Sequence, residues 1–358
     1  MNERIENIRR ALPEGVDALM VCDEVSRQYF TGFHSTAGVL VITREESCFF
    51  IDFRYIIAAR SAVEPQGIRV VEQKRLFLQL KEMFERCQVK KVALQSGYTL
   101  ISDWQQYQKA LAPAEIVFLP QLDREVLSLR AVKDQTEVDC IRKAQQITDR
   151  AFEEILSFIR PGRTEQEVAV QLEHLTRLYG SEGNSFDFIV VAGENSAKPH
   201  GVPSGYVIQP GDLVTMDFGC KYGGYCSDMT RTVAVGHAGE EERRVYETVL
   251  RAQLESEKVV REGVPCSEVD AVARRLIADA GYAGAFGHAL GHSVGLEIHE
   301  QPVFAPGCGE KTRSGMVITL EPGVYLEGKF GVRIEDMIVV QPDGCLNLTH
   351  SPKDFIIL

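Results

Sequence analysis

Four carboxylates and one imidazole in the second half of the chain have the chemistry to hold divalent metal ions. They are Asp217, Asp228, Glu321 and Glu335, with one of the histidines of Gly287–Glu300 as the imidazole. Asp217 lies near the end of the apolar run D-L-V-T-M-D-F-G (Asp212–Gly219). Asp228 follows after a Gly223-Gly224 turn in S-D-M-T-R-T, a spacing suited to neighbouring strands. Either aspartate alone reads more readily as a turn residue or a helix cap. Glu321 in V-I-T-L-E-P-G and Glu335 in G-V-R-I-E-D each stand at the polar end of an apolar run. A buried glutamate needs a metal, another cation or a proton, and Arg333 is a candidate partner for Glu335. As a set, oxygen-rich ligands with one nitrogen and no thiolate suit Mn²⁺, Co²⁺ or Fe²⁺ better than a structural Zn²⁺. Four carboxylates exceed the needs of one ion and match two, whose charge would balance theirs.

The segment Gly287–Glu300, G-H-A-L-G-H-S-V-G-L-E-I-H-E, holds three of the eight histidines: His288, His292 and His299. His288 and His292 have the i,i+4 spacing of the helical zinc motif H-E-x-x-H. The motif's glutamate is missing, and Gly287, Gly291 and Gly295 oppose a continuous helix. Glycine crowding predicts backbone packed closely in a cleft. One histidine there can serve as a ligand and the others in proton transfer or oxyanion stabilisation. A single histidine in such a place reads as a satisfied core residue, which three together argue against.

The elements that must position these residues follow from the hydropathy pattern. In the first third, helices are expected over Asn2–Ala11, Tyr55–Val63, Leu76–Cys87 and near Trp104–Leu111. Strands are expected at Ala18–Cys22, Ile68–Glu72, Val92–Gln95 and Ile116–Leu119, with a Val39–Thr43/Cys48–Asp52 hairpin. This is a mixed sheet flanked by helices. Pro120 and the charged residues after it read as a joint, with a boundary near residue 125 between 1–125 and 126–358. A long helix is expected over Lys133–Ile159, a capped one from Thr164 with Glu167 three residues on, and two more over Glu240–Arg261 and Ser267–Ala280.

The chain's 358 residues fit two domains. A formal charge of -12 argues against a general nucleic-acid or anionic-membrane binder. The N-terminal stretch lacks the apolar core of a secretory signal, and the apolar runs are too short to span a bilayer. Nine cysteines form no C-x-x-C pair and read as buried thiols in a reducing compartment, the cytoplasm.

Taken in order, D-F-G, S-D-M-T-R-T, G-H-S-V-G-L-E-I-H-E, L-E-P-G and G-V-R-I-E-D resemble the pita-bread metallopeptidases, specifically the branch of aminopeptidase P and prolidase. The likeness is strongest over about residues 130–358. The first 125 or so residues, with Y-F-T-G-F (Tyr29–Phe33) and D-F-R-Y (Asp52–Tyr55), resemble that branch's creatinase/prolidase-type N-terminal domain. The resemblance implies an α/β fold with a pita-bread catalytic domain and two divalent ions, Mn²⁺ foremost. Asp217 would be a terminal ligand, Asp228 and Glu335 would bridge, and His292 and Glu321 would complete the second ion's shell. Glu321 would also exchange a proton with the attacking water, and His299 would stabilise the tetrahedral intermediate. His200, in K-P-H-G, would contact substrate, with His288 and Phe186 in the same pocket and Arg333 supporting the carboxylates. Short proline-containing peptides are the implied substrates and a homodimer the implied assembly.

Within the branch, the expected activity is removal of the first residue from Xaa-Pro peptides. A dipeptidase must recognise the free carboxylate of proline, naturally with an arginine. The family's prolidases often supply one in H-E-x-P-R, where this chain has His299-Glu300-Gln301-Pro302-Val303. Xaa-Pro dipeptidase is the alternative. A non-catalytic pita-bread binding module is disfavoured because all five ligand positions are kept.

Overall fold

The structure, a computed structural model, describes residues 2–358. The chain divides into two compact units, Met1–Arg130 and Ala131–Leu358.

In the first unit α1 (Glu3–Ala11) starts where the Asn2 side chain accepts a bond from the Ile5 N–H. Strands β1 (Ala18–Val21), β2 (Val39–Thr43) and β3 (Ser47–Ile51) are buried throughout. With β4 (Arg69–Glu72), β5 (Lys91–Leu94) and β6 (Glu115–Phe118) they form a mixed sheet in the order β4-β3-β2-β1-β5-β6. The β2/β3 hairpin is antiparallel and turns over Arg44–Glu46, as the pattern predicts. Continuous rather than alternating apolar runs in these strands follow from burial on both faces. Helices α3 (Ile56–Val63), α4 (Leu76–Arg86) and α5 (Ile101–Ala110) fall within a few residues of expectation.

Two helices depart from the sequence reading. α2 (Glu24–Thr31) has no counterpart among the expected elements, although Asp23 caps its start and Gly32 closes it at φ 63°. The expected joint is a helix, α6 (Pro120–Ala131). Pro120 occupies its first position, where a missing N–H is no loss to the helix.

The second unit opens with α7 (Gln135–Ile155) and α8 (Glu165–Leu178). Each begins with a capping box, Asp134 with Glu137 and Thr164 with Glu167. The apolar stripe of α7 packs with α8 against a three-stranded antiparallel sheet. The short strands β7 (Gly183–Asn184), β10 (Cys220–Tyr222) and β11 (Tyr225–Cys226) form a side ribbon. The sheet itself consists of β8 (Ile189–Ala192), β9 (Leu213–Phe218) and β12 (Met229–Ala234). Each fully buried side chain of this layer, such as Phe152, Leu172 or Met216, contributes about 1.5–3 kcal/mol.

Helices α9 (Glu240–Val259) and α10 (Cys266–Ile277) cover a second antiparallel sheet, β14-β13-β15-β18-β19. Its strands are β13 (Gly291–Ser293), β14 (Glu300–Phe304), β15 (Val317–Leu320), β18 (Asp336–Gln341) and β19 (Gly344–Asn347). A hairpin of β16 (Gly323–Leu326) and β17 (Phe330–Arg333) stands between β15 and β18 in the chain. Two helix-covered sheets thus supply strand ends from both sides. Among the described residues no helix is long and apolar enough to cross a membrane.

Candidate metal centre

Register brings the carboxylates together. On the first sheet Asp217 pairs with Thr230, and Asp228 directly precedes β12. On the second, Leu320 pairs with Asp336, so Glu321 and Glu335 leave the sheet at the same end. His292 sits on β13, not on a helix. Close strand approach explains its glycine neighbour: a Cβ on Gly291 would lie 1.9 Å from the Thr319 carbonyl oxygen. The same applies beside Asp228, where a Cβ on Gly219 would lie 1.9 Å from the Ser227 carbonyl oxygen.

Asp228, His292 and Glu335 each offer one ligand atom, and these atoms lie within 4.8 Å of one another. His292 Nε2 is 3.5 Å from Asp228 Oδ2 and 3.6 Å from Glu321 Oε1. His292 Nδ1 lies 3.2 Å from the Ser293 carbonyl, which can only accept, so the proton belongs on Nδ1 and the Nε2 lone pair faces the carboxylates. Burial, with His299 next to it, pushes His292 down to about 4, which keeps the ring neutral. The two rings meet edge-on, with centroids 4.4 Å apart.

The carboxylates need a cation. Asp217 Oδ1, Asp228 Oδ1 and Glu335 Oε1 are buried without a hydrogen-bond partner. Burial, and then repulsion from Glu335, Asp217 and Glu321, drives Asp228 well above the usual carboxylate range. Burial also drives Glu335 up, reinforced by Glu321 and Asp217. Glu321 is pushed up to about 8 by burial, against the pull of Arg333 and with a further push from Asp217. Orphaned oxygens, mutual repulsion and a neutral imidazole are what a divalent-metal site presents before its ions bind, so the donor set fits the implied metals.

Arg333 does not pair with Glu335. Its Nη2 donates to Asp217 Oδ2 at 2.6 Å, and its Nε to Thr230 Oγ1 at 3.0 Å. Thr230 Oγ1 in turn donates to Glu335 Oε2 at 2.7 Å, so the arginine reaches that glutamate through a hydroxyl. Arg333 Nη1 also donates to the Tyr325 hydroxyl at 2.8 Å. Tyr325 is 3.0 Å from His288 Nε2, and His288 Nδ1 is 2.8 Å from the Ala289 carbonyl. His288 therefore carries its proton on Nδ1 and accepts from Tyr325. Burial and Arg333 push it down to about 4. Tyr325 and Thr230 were not among the sequence candidates, because nothing in their local pattern marks a residue that only bridges two others.

A cavity of about 560 Å³ opens onto the cluster, within the usual range for a small-ligand site. It is lined by Asp217, Asp228, His292, Glu321 and Glu335, and also by Phe186, His200, His288 and His299. Arg333 stands behind them. Val303, the cross-strand partner of His292, faces the same space. None of the described lining residues is a lysine or arginine. Lys133 comes near, but it is committed to Glu300 at 3.1 Å.

Comparison with known proteins agrees with this architecture. The profile of metallopeptidase family M24 matches residues 139–342, and that of the creatinase/prolidase N-terminal domain matches residues 4–132. An Xaa-Pro dipeptidase from Pyrococcus horikoshii is 34% identical, covering 99% of both chains. The solved structure of an Xaa-Pro dipeptidase from Bacillus anthracis superposes with a TM-score of 0.95 at 40% identity, over 99% of each chain. That of an X-Pro aminopeptidase from Thermotoga maritima gives 0.92 at 35% identity, over 98% of this chain and 99% of that one. With a creatinase-type N-terminal domain, a pita-bread domain and the motifs of the proline-specific branch, this chain belongs to metallopeptidase family M24, in its branch of Xaa-Pro dipeptidases and Xaa-Pro aminopeptidases.

Proposed function

We propose that the chain is a metal-dependent Xaa-Pro dipeptidase. The observation that carries this is likeness over nearly the whole length to proteins named Xaa-Pro dipeptidases, at 34% and 40% identity. It outweighs the preference for an aminopeptidase drawn from Val303. One missing arginine removes one way of binding a carboxylate, whereas the similarity runs through every segment that lines the pocket.

Asp217, Asp228, His292, Glu321 and Glu335 would hold two divalent ions, and the oxygen-rich set favours Mn²⁺ over Zn²⁺. Such ions, when bound, activate a water for attack and polarise the scissile carbonyl. The protein's own groups do the rest. The Glu321 carboxyl, facing the cavity beside His292, would take up and return a proton. His299, stacked edge-on with His292 and facing the cavity, would donate to the developing oxyanion. His200 would contact the substrate, and Phe186 would shape a wall for the proline ring. His288, engaged by Tyr325, acts by holding the pocket rather than by touching substrate. Arg333 keeps Asp217 oriented. A homodimer in the cytoplasm is the proposed setting; nine free thiols suit a reducing compartment.

A second reading, Xaa-Pro aminopeptidase, is favoured by the cavity lining, which offers a free carboxylate no lysine or arginine among the described residues. Hydrolysis of Ala-Pro, Ala-Pro-Ala and Met-Ala-Ser by the Mn²⁺-loaded protein separates the possibilities. The dipeptidase reading expects Ala-Pro alone to be cleaved efficiently. Preferred cleavage of Ala-Pro-Ala would establish the aminopeptidase instead, and inactivity on all three would remove the enzyme reading.

A further inference from the structure

The connection between β8 and β9 carries His200, and one buried side chain outside the cavity holds the chain on both sides of that histidine, at 192–195 and at 204. Glu165, in the first turn of α8, is fully buried. Its Oε1 accepts from the Ala192 N–H at 2.7 Å and from Asn195 Nδ2 at 3.1 Å. Its Oε2 accepts from the Ser204 N–H at 2.9 Å and from Ser204 Oγ at 2.6 Å. Ala192 and Asn195 stand where the chain leaves β8, and Ser204 lies four residues beyond His200. Four donors from the two sides of the stretch 193–204 therefore converge on a single carboxylate. Its place at a helix N-terminus also favours negative charge there.

His200 itself is exposed and has no such anchorage of its own ring. Where its imidazole stands is decided by the backbone that carries it. Between the two clamped ends the loop is held again: the Gly331 N–H donates to Ser196 Oγ at 2.8 Å, and Arg333 Nη1 to the Pro199 carbonyl at 3.3 Å. Those two bonds tie the loop to β17, on the metal side. Glu165 ties it to α8, on the outer side of the first sheet.

We propose that Glu165 is a positioning residue for the peptidase reaction, which fixes the loop 193–204 so that His200 meets the substrate in one place. The proposal rests on the reading of His200 as a substrate-contacting histidine. Glu165 touches neither cavity nor ligand set, so its influence has to pass through that loop.

The test is a double-mutant cycle on the Mn²⁺-loaded full-length protein, with E165Q, H200A and the double variant. An amide in place of the carboxylate keeps the shape but turns an NH₂ towards donors at one end of the loop. E165Q should lower kcat/KM for the proline substrate about 10- to 100-fold, as expected for slight misplacement of a contacting group. It should retain the native metal content. In the H200A background it should cost less than about twofold more, because coupled residues are not additive. Hydrogen exchange should rise in 193–204 and stay native in β12, β13 and β15. Additive losses from the two substitutions, or native exchange in the loop of E165Q, would overturn the clamp while leaving His200's role intact. An H200A protein as active as the native one would instead remove His200 from the reaction, and the proposal with it. E165Q protein that loses its metal or unfolds would show a structural role alone; E165D, which keeps the charge but shortens the reach, would then have to fail likewise.

Discussion

At the scale of single residues, environment separates groups of the same type. Asp187 and Asp228 both line the cavity, yet Asp187 is exposed and Asp228 is buried among three other carboxylates with one oxygen unpartnered. Only the second has a charge that requires a cation. Asp228→Asn is therefore expected to reduce kcat/KM by at least about 100-fold and to lower the bound metal, given that even supporting residues around a metal matter 10- to 100-fold. Asp187→Asn should stay within about threefold of native by the same measure. Similar activities of the two variants would refute Asp228 as a ligand. The histidines divide in the same way. His292 faces the carboxylates with a free Nε2, while the Nε2 of His288 is occupied by Tyr325.

At the scale of elements, strand pairing decides which side chains share the cavity. His292 and Val303 are partners across β13 and β14, so they stand on the same face. A guanidinium at 303 would enter the cavity beside the carboxylate cluster, where it could pair with the free carboxylate of a dipeptide. Val303→Arg is expected to raise the ratio of Ala-Pro to Ala-Pro-Ala hydrolysis about tenfold or more, the order of one hydrogen bond to a charged group. The readout is the ratio of kcat/KM values, which cancels any general loss of stability. An unchanged ratio would mean that the carboxylate is bound elsewhere.

At the scale of the molecule, the candidate metal centre draws its side chains from the two sheets of the second unit. Asp217 and Asp228 come from one sheet; His292, Glu321 and Glu335 come from the other. Without ions, these carboxylates repel one another and oppose that closure. Mn²⁺ added to chelator-treated protein should raise the unfolding midpoint. Ion at about a hundredfold over its Kd adds about 2.7 kcal/mol. Calorimetry with and without EDTA checks this, and an Asp228→Asn protein should show a much smaller rise. A midpoint indifferent to Mn²⁺ would mean that no ion closes the sheets.

Much of this was legible in the chain itself. Helix caps such as Thr164 with Glu167, the β2/β3 hairpin and the continuous apolar strands are encoded over a few neighbouring residues, which is why they can be read locally. The five candidate ligand positions could be proposed for another reason: each motif is short, and their order is specific even though each motif alone is ambiguous. α6 was missed because proline reads as a breaker and the first helical position, which tolerates it, is known only once the helix is seen. What the tertiary structure decided are pairings between residues far apart in sequence. Arg333 meets Asp217 across 116 positions, not the nearby Glu335, and Thr230 supplies the link to that glutamate across 105. Tyr325 and Glu165 owe their roles to what folding sets beside them. A local pattern records what a segment prefers to be, but the partner of a buried charge is chosen by register and packing, which only the assembled sheets define.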